Sequence, residues 1–278
     1  MARGIKAPTS RGVKLPRLNL SKPRALGSSE LNRAVETRPV VRGEALDIPE
    51  FVPGDEFLAG LTLKQGEHVT AVGYTQSGKT TLMTNWILPQ REHCVVLATK
   101  KRDPVLYPTL KKLGYTITDK PELDVVEKPK VIYRPDKTRK KNETARDVKL
   151  RLQAGFAEVL LEVEEDGGWA LYGDEIRFLS EDLKLKQELE VLWLQGSSEL
   201  ITMIVSTQRP VSIPVVAFES ASHLFLFRTT DNRNIERIAE FEGANEKLLR
   251  WLLPRLQSHE ALYIETRTGR MVRTKVEI

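Results

Sequence analysis

The chain has 278 residues, 43 of them Lys or Arg and 38 Asp or Glu, for a formal net charge of +5, and 40% are hydrophobic. That is room for one large domain or two small ones, in the composition of a soluble globular protein. No apolar run approaches a membrane span and the N-terminus lacks the apolar core of a signal peptide, so we expect no membrane partner and a cytoplasmic protein. The single cysteine, Cys94, permits no internal disulfide and fits a reducing compartment, and four scattered histidines (His68, His93, His223, His259) argue against a zinc site.

Residues 1–45 differ from the rest. Arg3, Lys6, Arg11, Lys14, Arg17, Lys22 and Arg24 appear with no acid among them, interspersed with Pro, Gly and Ser. Such a segment can bury little apolar surface, so we expect a flexible basic arm. It either contacts nucleic acid or another acidic partner, or serves as a solubilising tail. Residues 46–278 form the expected folded domain, its first pattern being Leu61-Thr62-Leu63, a strand turning at Lys64-Gln65-Gly66 into a second strand over Glu67–Val72.

The second strand runs into Gly73-Tyr74-Thr75-Gln76-Ser77-Gly78-Lys79-Thr80, which has the form G-x-x-x-x-G-K-[ST], followed by Thr81 and a helix that Pro89 stops. Strand, glycine loop and helix are the setting in which backbone N–H groups and a helix N-terminus surround nucleotide phosphates. Gly73 and Gly78 let the backbone approach the phosphates, Lys79 reaches the β- and γ-phosphates of ATP, and the Thr80 hydroxyl ligates Mg²⁺. The expected nucleotide-binding set is Gly73 to Thr81.

Further on, Cys94–Ala98 reads as a buried strand, Tyr107–Leu113 as a short helix and Val131–Tyr133 as a strand. Lys137, Arg139, Lys140 and Lys141 make a basic loop. Val148, Leu152, Phe156, Val159, Leu160 and Val163 recur at helical spacing until Gly167-Gly168. Trp169–Tyr172 is the next strand, with Asp174-Glu175 just past it. Asp174 would hold Mg²⁺ through its water shell and Glu175 would polarise the attacking water. An amphipathic helix over Leu183–Leu194 leads to the strand Ile201–Val205. Gln208, just beyond that strand, would face the γ-phosphate if the strand lies between the other two. His223–Phe227 is a strand, Asp231 the N-cap of a helix to Phe241, and Leu262–Val276 a hairpin turning at Thr268-Gly269. Alternating strands and helices predict an α/β fold, a mainly parallel sheet covered on both faces.

The motif order resembles the FtsK/HerA superfamily of P-loop ATPases. Ile204-Val205-Ser206-Thr207-Gln208-Arg209-Pro210 is similar to that family's strand ending in a Thr-Gln-Arg-Pro signature. His223–Arg228 resembles the family's next strand, Asp231-Asn232-Arg233 its arginine-bearing helix start, and the hairpin with Gly269 its C-terminal end. The resemblance spans roughly Leu61 to Val276 and departs from the pattern at Gly173, where a larger apolar residue is usual. It implies a RecA-like (ASCE) domain that hydrolyses ATP with Mg²⁺. In that domain Gly73, Gly78, Lys79 and Thr80 bind phosphate and metal, Asp174 and Glu175 form the acidic pair, and Gln208 senses the γ-phosphate. It also implies a homo-oligomeric ring, pentameric or hexameric, in which a neighbour supplies an arginine; Arg209, Arg228 and Arg233 are the candidates.

Such a ring would move double-stranded DNA, gripping phosphates through basic loops such as Lys137–Lys141 or Lys100–Arg102. Without membrane spans, and with little room for a nuclease domain, the chain looks more like a viral genome-packaging ATPase acting in the host cytoplasm, with a viral portal or capsid as a possible partner. A plasmid-transfer or repair translocase is the alternative within the family. A nucleotide-dependent assembly factor with little turnover is the alternative outside it. A small-molecule kinase would need an arginine-rich lid, and a GTPase an Asn-Lys-x-Asp sequence that Thr99-Lys100-Lys101-Arg102-Asp103 does not match.

Overall fold

In the computed structural model, the described residues are 27–277 except 38, 42, 43, 101, 125 and 241–244. The seven basic residues of the arm, from Arg3 to Arg24, lie outside them. Helix α1 (Ser28–Thr37) and a two-stranded ribbon of β1 (Val40–Val41) and β2 (Glu44–Ala45) precede the main domain. These elements fall within the segment expected as an arm, whose residues 1–26 lie outside the described ones. Leu31 of α1 is fully buried in the main core, and the buried Arg273 donates to Asn32 Oδ1 at 2.9 Å and to the Pro49 carbonyl at 2.8 Å. Helix α1 is therefore docked on the domain, because an apolar side chain and a polar one both find partners there.

The main sheet contains β3 (His68–Val72), β4 (Cys94–Leu97), β5 (Thr116–Thr118), β6 (Lys130–Tyr133), β7 (Ala170–Asp174), β8 (Thr202–Thr207), β9 (Ala221–Phe227), β10 (Glu260–Glu265) and β11 (Arg270–Lys275). Their order is β11-β10-β9-β3-β8-β7-β4-β6-β5. Strands β3 to β9 pair in parallel, and the antiparallel hairpin β10–β11 extends the sheet at the β9 edge. The parallel strands read as continuous apolar runs because both faces are covered. Val95 and Leu97 point to one core and Cys94 and Val96 to the other, and the same alternation divides Leu171 from Ala170 and Tyr172.

On one face lie α5 (Ala145–Asp166), α6 (Lys186–Gln195), α7 (Val216–Glu219), α8 (Asn232–Ala239) and α9 (Glu246–Leu252), each contributing buried side chains to the first core. On the other lie α2 (Gly54–Gly60), α4 (Leu106–Lys112) and the helix after the glycine loop. That helix starts as α3 (Lys79–Thr81), continues through wider turns over Leu82–Ile87 and ends in a tight turn at Leu88–Gln90. The fold is the expected α/β P-loop arrangement, a mainly parallel sheet between two helical layers with a C-terminal hairpin.

Two local expectations fail for physical reasons. Leu61-Thr62-Leu63 is not a strand: carbonyls here are used by the buried Arg91, which donates from Nη1 to Lys64 O at 3.2 Å and from Nη2 to Leu63 O. The short edge strand β5 gives no sequence signal because Thr116, Ile117 and Thr118 carry only one apolar residue. Asp231 does cap α8, accepting from Arg233 N at 3.0 Å, but the described helix ends at Ala239. No helix among the described residues is long and apolar enough to cross a membrane.

Candidate active site

Strand order decides which residues can meet. Strand β8 pairs with β3 on one side and with β7 on the other. The ends of β3, β8 and β7 therefore bring the glycine loop, Gln208 and Asp174-Glu175 to one edge of the sheet, outside the carboxyl ends of the strands, where open α/β sheets place their ligands. A cleft of about 360 Å³ opens there, lined by Thr75, Gln76, Gly78, Lys79, Thr80 and Thr81 from the loop, by Asp174, Glu175 and Gln208, and by Lys100, Asp103, Val105 and His259.

The loop conformation is fixed by what glycine lacks. Gly78 has φ +104°, and a Cβ at Gly73 would stand 2.7 Å from Phe227 Cβ and 2.5 Å from Ser77 Oγ. Tyr74 turns outward, its hydroxyl accepting from Thr229 Oγ1 at 3.3 Å and Thr230 N at 3.4 Å, which ties the loop to the end of β9. Lys79 is 7% exposed and donates to the carbonyls of Gly73 at 2.7 Å and Tyr74 at 2.8 Å. Burial pushes its pKa down to about 8, with the charge of Lys100 adding to the drop and Asp174 and Glu175 opposing it. Ser77 Oγ is buried in the loop with no hydrogen-bond partner, an orphaned donor of the kind a bound anion satisfies.

Gln208 meets the loop directly: Thr75 Oγ1 donates to Gln208 Oε1 at 2.9 Å. Asp174 Oδ1 accepts from Ser206 Oγ at 2.8 Å, and Asp174 Oδ2 lies 2.8 Å from Lys100 Nζ. Glu175 sits in the left-handed region, φ +60°, its N–H donating to Ser206 O at 3.3 Å. A non-glycine residue pays about 1–2 kcal/mol for that backbone, and such outliers gather at functional sites. Gly173 has a structural account as well. A Cβ there would stand 2.6 Å from Ile176 Cδ1, so Ile176 fills the space a larger residue would take.

The three arginines stand apart from the cleft of their own chain. Arg209 is exposed at the end of β8, Arg233 is exposed in the first turn of α8, and Arg228 donates from Nε to Pro254 O at 3.2 Å. The two basic loops are not uniformly exposed. Lys137 donates to Thr99 O and lies 5.0 Å from the Phe178 ring, so it is turned inward, whereas Arg139 donates from Nε to Glu143 O and stays exposed. Lys100 points into the cleft and pairs with Asp174, while Lys101 lies outside the described residues. Lys100, Asp103, Val105 and His259 line the site without having been assigned to it by sequence reading. Lys100 looks like part of a charge run; only the pairing of β4 with β7 puts it beside Asp174. His259 carries no motif and enters the cleft through a left-handed turn, φ +64°, before β10.

The donor set fits a magnesium nucleotide. One carboxylate oxygen of Asp174 already holds a cationic group, and the Thr80 hydroxyl lines the same cleft.

No family model matches the chain, and no curated protein matches it by sequence. Solved structures do. The genome packaging NTPase B204 from Sulfolobus turreted icosahedral virus 2, in complex with AMP, matches with a TM-score of 0.57 at 16% identity, over 78% of this chain and 100% of that one. B204 described as the DNA-packaging ATPase from Sulfolobus turreted icosahedral virus matches with a TM-score of 0.54 at 19% identity, over 78% and 100%. VirB4 of Thermoanaerobacter pseudethanolicus matches with a TM-score of 0.56 at 11% identity, over 76% and 89%. Identities this low speak to architecture alone: the chain has the RecA-like P-loop NTPase fold that these structures share.

Proposed function

We propose that this chain is an ATPase that moves double-stranded DNA as a homo-oligomeric ring, and that its work is the packaging of a viral genome. The observation that carries the reading is the convergence of Lys79, Asp174, Glu175 and Gln208 on one cleft, with Gln208 bonded to the loop through Thr75. Two of the structural neighbours are genome-packaging enzymes, which supports the choice of task.

The chemistry assigned to each residue comes from its place. The glycine loop binds the phosphates through backbone N–H groups, and Lys79 leaves its two carbonyls to neutralise charge on the β- and γ-phosphates. Thr80 would hold Mg²⁺, with Asp174 on its water shell; the ion supplies further charge neutralisation at the phosphates. Glu175 accepts a proton from water as the water oxygen bonds to the γ-phosphorus. The bond from that phosphorus to the bridging oxygen breaks and ADP leaves. Gln208, hydrogen-bonded to the loop through Thr75, registers whether the γ-phosphate is present. DNA and a portal or capsid of the virus would be the partners, in the host cytoplasm.

ATP turnover measured with and without double-stranded DNA tests the proposal. Turnover stimulated by DNA of any sequence, with stimulation falling as salt rises, is the expected result. Glu175→Gln should keep ATP binding and lose roughly 10²-fold or more of the hydrolysis rate, the usual share of a positioned base. Absence of turnover in the wild type would favour the assembly factor, and Glu175→Gln at the wild-type rate would remove the assigned base.

A further inference from the structure

The Lys100–Asp174 contact has no part in the chemistry above, yet it is built with care. Both carboxylate oxygens of Asp174 are partnered. Oδ1 accepts from Ser206 Oγ at 2.8 Å, and Oδ2 takes the Lys100 ammonium at 2.8 Å. The backbone carrying Lys100 is anchored on both sides of the cleft wall: Tyr107 donates its hydroxyl proton to Lys100 O at 2.6 Å, and Thr99 Oγ1 donates to Asp174 O at 3.0 Å. The side chain itself is 46% exposed, on a flexible four-carbon stem with open space beside it. A second carboxylate, Asp103, lies 3.7 Å from the same ammonium and can receive it.

The cleft therefore holds two lysines of different kinds. Lys79 is buried and held by carbonyls, while Lys100 is about half exposed and sits on the carboxylate that the nucleotide reading assigns to the metal. A strongly hydrated ammonium and a hydrated divalent cation cannot occupy one carboxylate oxygen at close range, since like charges repel steeply in a partly buried site.

We propose that Lys100 is a positioning residue, a built-in counter-cation that holds the Asp174 carboxylate in place and yields it to Mg²⁺ when the magnesium nucleotide enters, moving to Asp103. This rests on the nucleotide reading. It makes Mg²⁺ and the Lys100 ammonium competitors for one oxygen, so the two are coupled by linkage.

The test is a Mg²⁺ titration of the binding of a fluorescent ATP analogue to the full chain, with the wild type compared with Lys100→Met and Lys100→Gln. Both variants should bind with a half-saturating Mg²⁺ concentration lowered by about fivefold or more, the ordinary size of such a coupling. Lys100→Arg, which keeps the charge, should stay near the wild type. In EDTA the affinity for the analogue should change little in all of them. Equal Mg²⁺ midpoints, or a raised midpoint in the neutral variants, would overturn the proposal. So would loss of binding in EDTA, which would make Lys100 a phosphate ligand. A wild type that binds no nucleotide at any Mg²⁺ concentration would instead overturn the nucleotide reading, and this inference with it.

Discussion

Lys79 holds a charge where burial works against it. Its pKa falls from 10.5 to about 8, so between those values the unfolded chain keeps a proton that the native chain has lost. The penalty on the native state is fully present below about pH 8 and is relieved as pH rises through that window, so this residue makes stability increase with pH there. Nucleotide phosphates reverse the balance, because their negative charge favours the ammonium. Binding at about pH 8.5 should therefore take up roughly three-quarters of a proton per nucleotide, and near pH 7 almost none, as expected for a pKa of about 8. Calorimetry in two buffers of different ionisation enthalpy reads this directly. Lys79→Arg should abolish the buffer dependence, and identical heats for the wild type in both buffers at the higher pH would show that Lys79 does not charge on binding.

Among the elements, the glycine loop depends on a strand beside the one that carries it. Phe227 ends β9, which pairs with β3, and its Cβ occupies the space beside Gly73. Gly73→Ala should overpack this contact and cost about 1–3 kcal/mol. At roughly 2–4 °C per kcal/mol for a chain of this size, thermal unfolding should show the shift. Gly60→Ala at the end of α2, where a Cβ meets nothing within 4 Å, is the control and should stay within about 0.5 kcal/mol. The motif residues at this edge were legible because the chemistry of phosphate binding dictates residue types at fixed spacing. The long helix α5 was legible from its apolar period, and its start at Thr144 is marked by a capping box with Asp147. The hidden features depend on pairing across the sheet. Lys100 beside Asp174, the left-handed Glu175 and Ile176 filling the space over Gly173 all require the order of strands, which no local pattern carries. The docked helix α1 was hidden for another reason: one buried leucine in a polar segment is too little to mark a helix by periodicity.

At the scale of the whole molecule the cleft lacks one thing that phosphoryl transfer in this kind of site uses. Among the residues lining it there are two lysines and no arginine. An arginine that stabilises the charge on the transferring phosphoryl group must then come from elsewhere, and a second copy of the chain is the source the ring proposal supplies. The three candidates are not equal. Arg228 spends its Nε on Pro254, whereas the side chains of Arg209 and Arg233 are exposed and form no ion pair among the described residues. Arg209 is next to Gln208 at the end of β8, and Arg233 stands at the start of a helix whose first turn also exposes Asn232. Subunits carrying Arg209→Ala or Arg233→Ala should bind ATP and hydrolyse it slowly, by about 10³-fold if the arginine works as such groups do elsewhere. Subunits carrying Lys79→Ala should not bind it at all. Mixed in equal amounts, the two kinds complete one another: a Lys79→Ala neighbour still presents its arginine to the intact cleft of the arginine variant. Hydrolysis by the mixture should exceed that of either variant alone, and should do so for the arginine that crosses the boundary and not for the other. If no arginine variant regains activity on mixing while each still binds ATP, every cleft works alone and the shared-site ring is wrong.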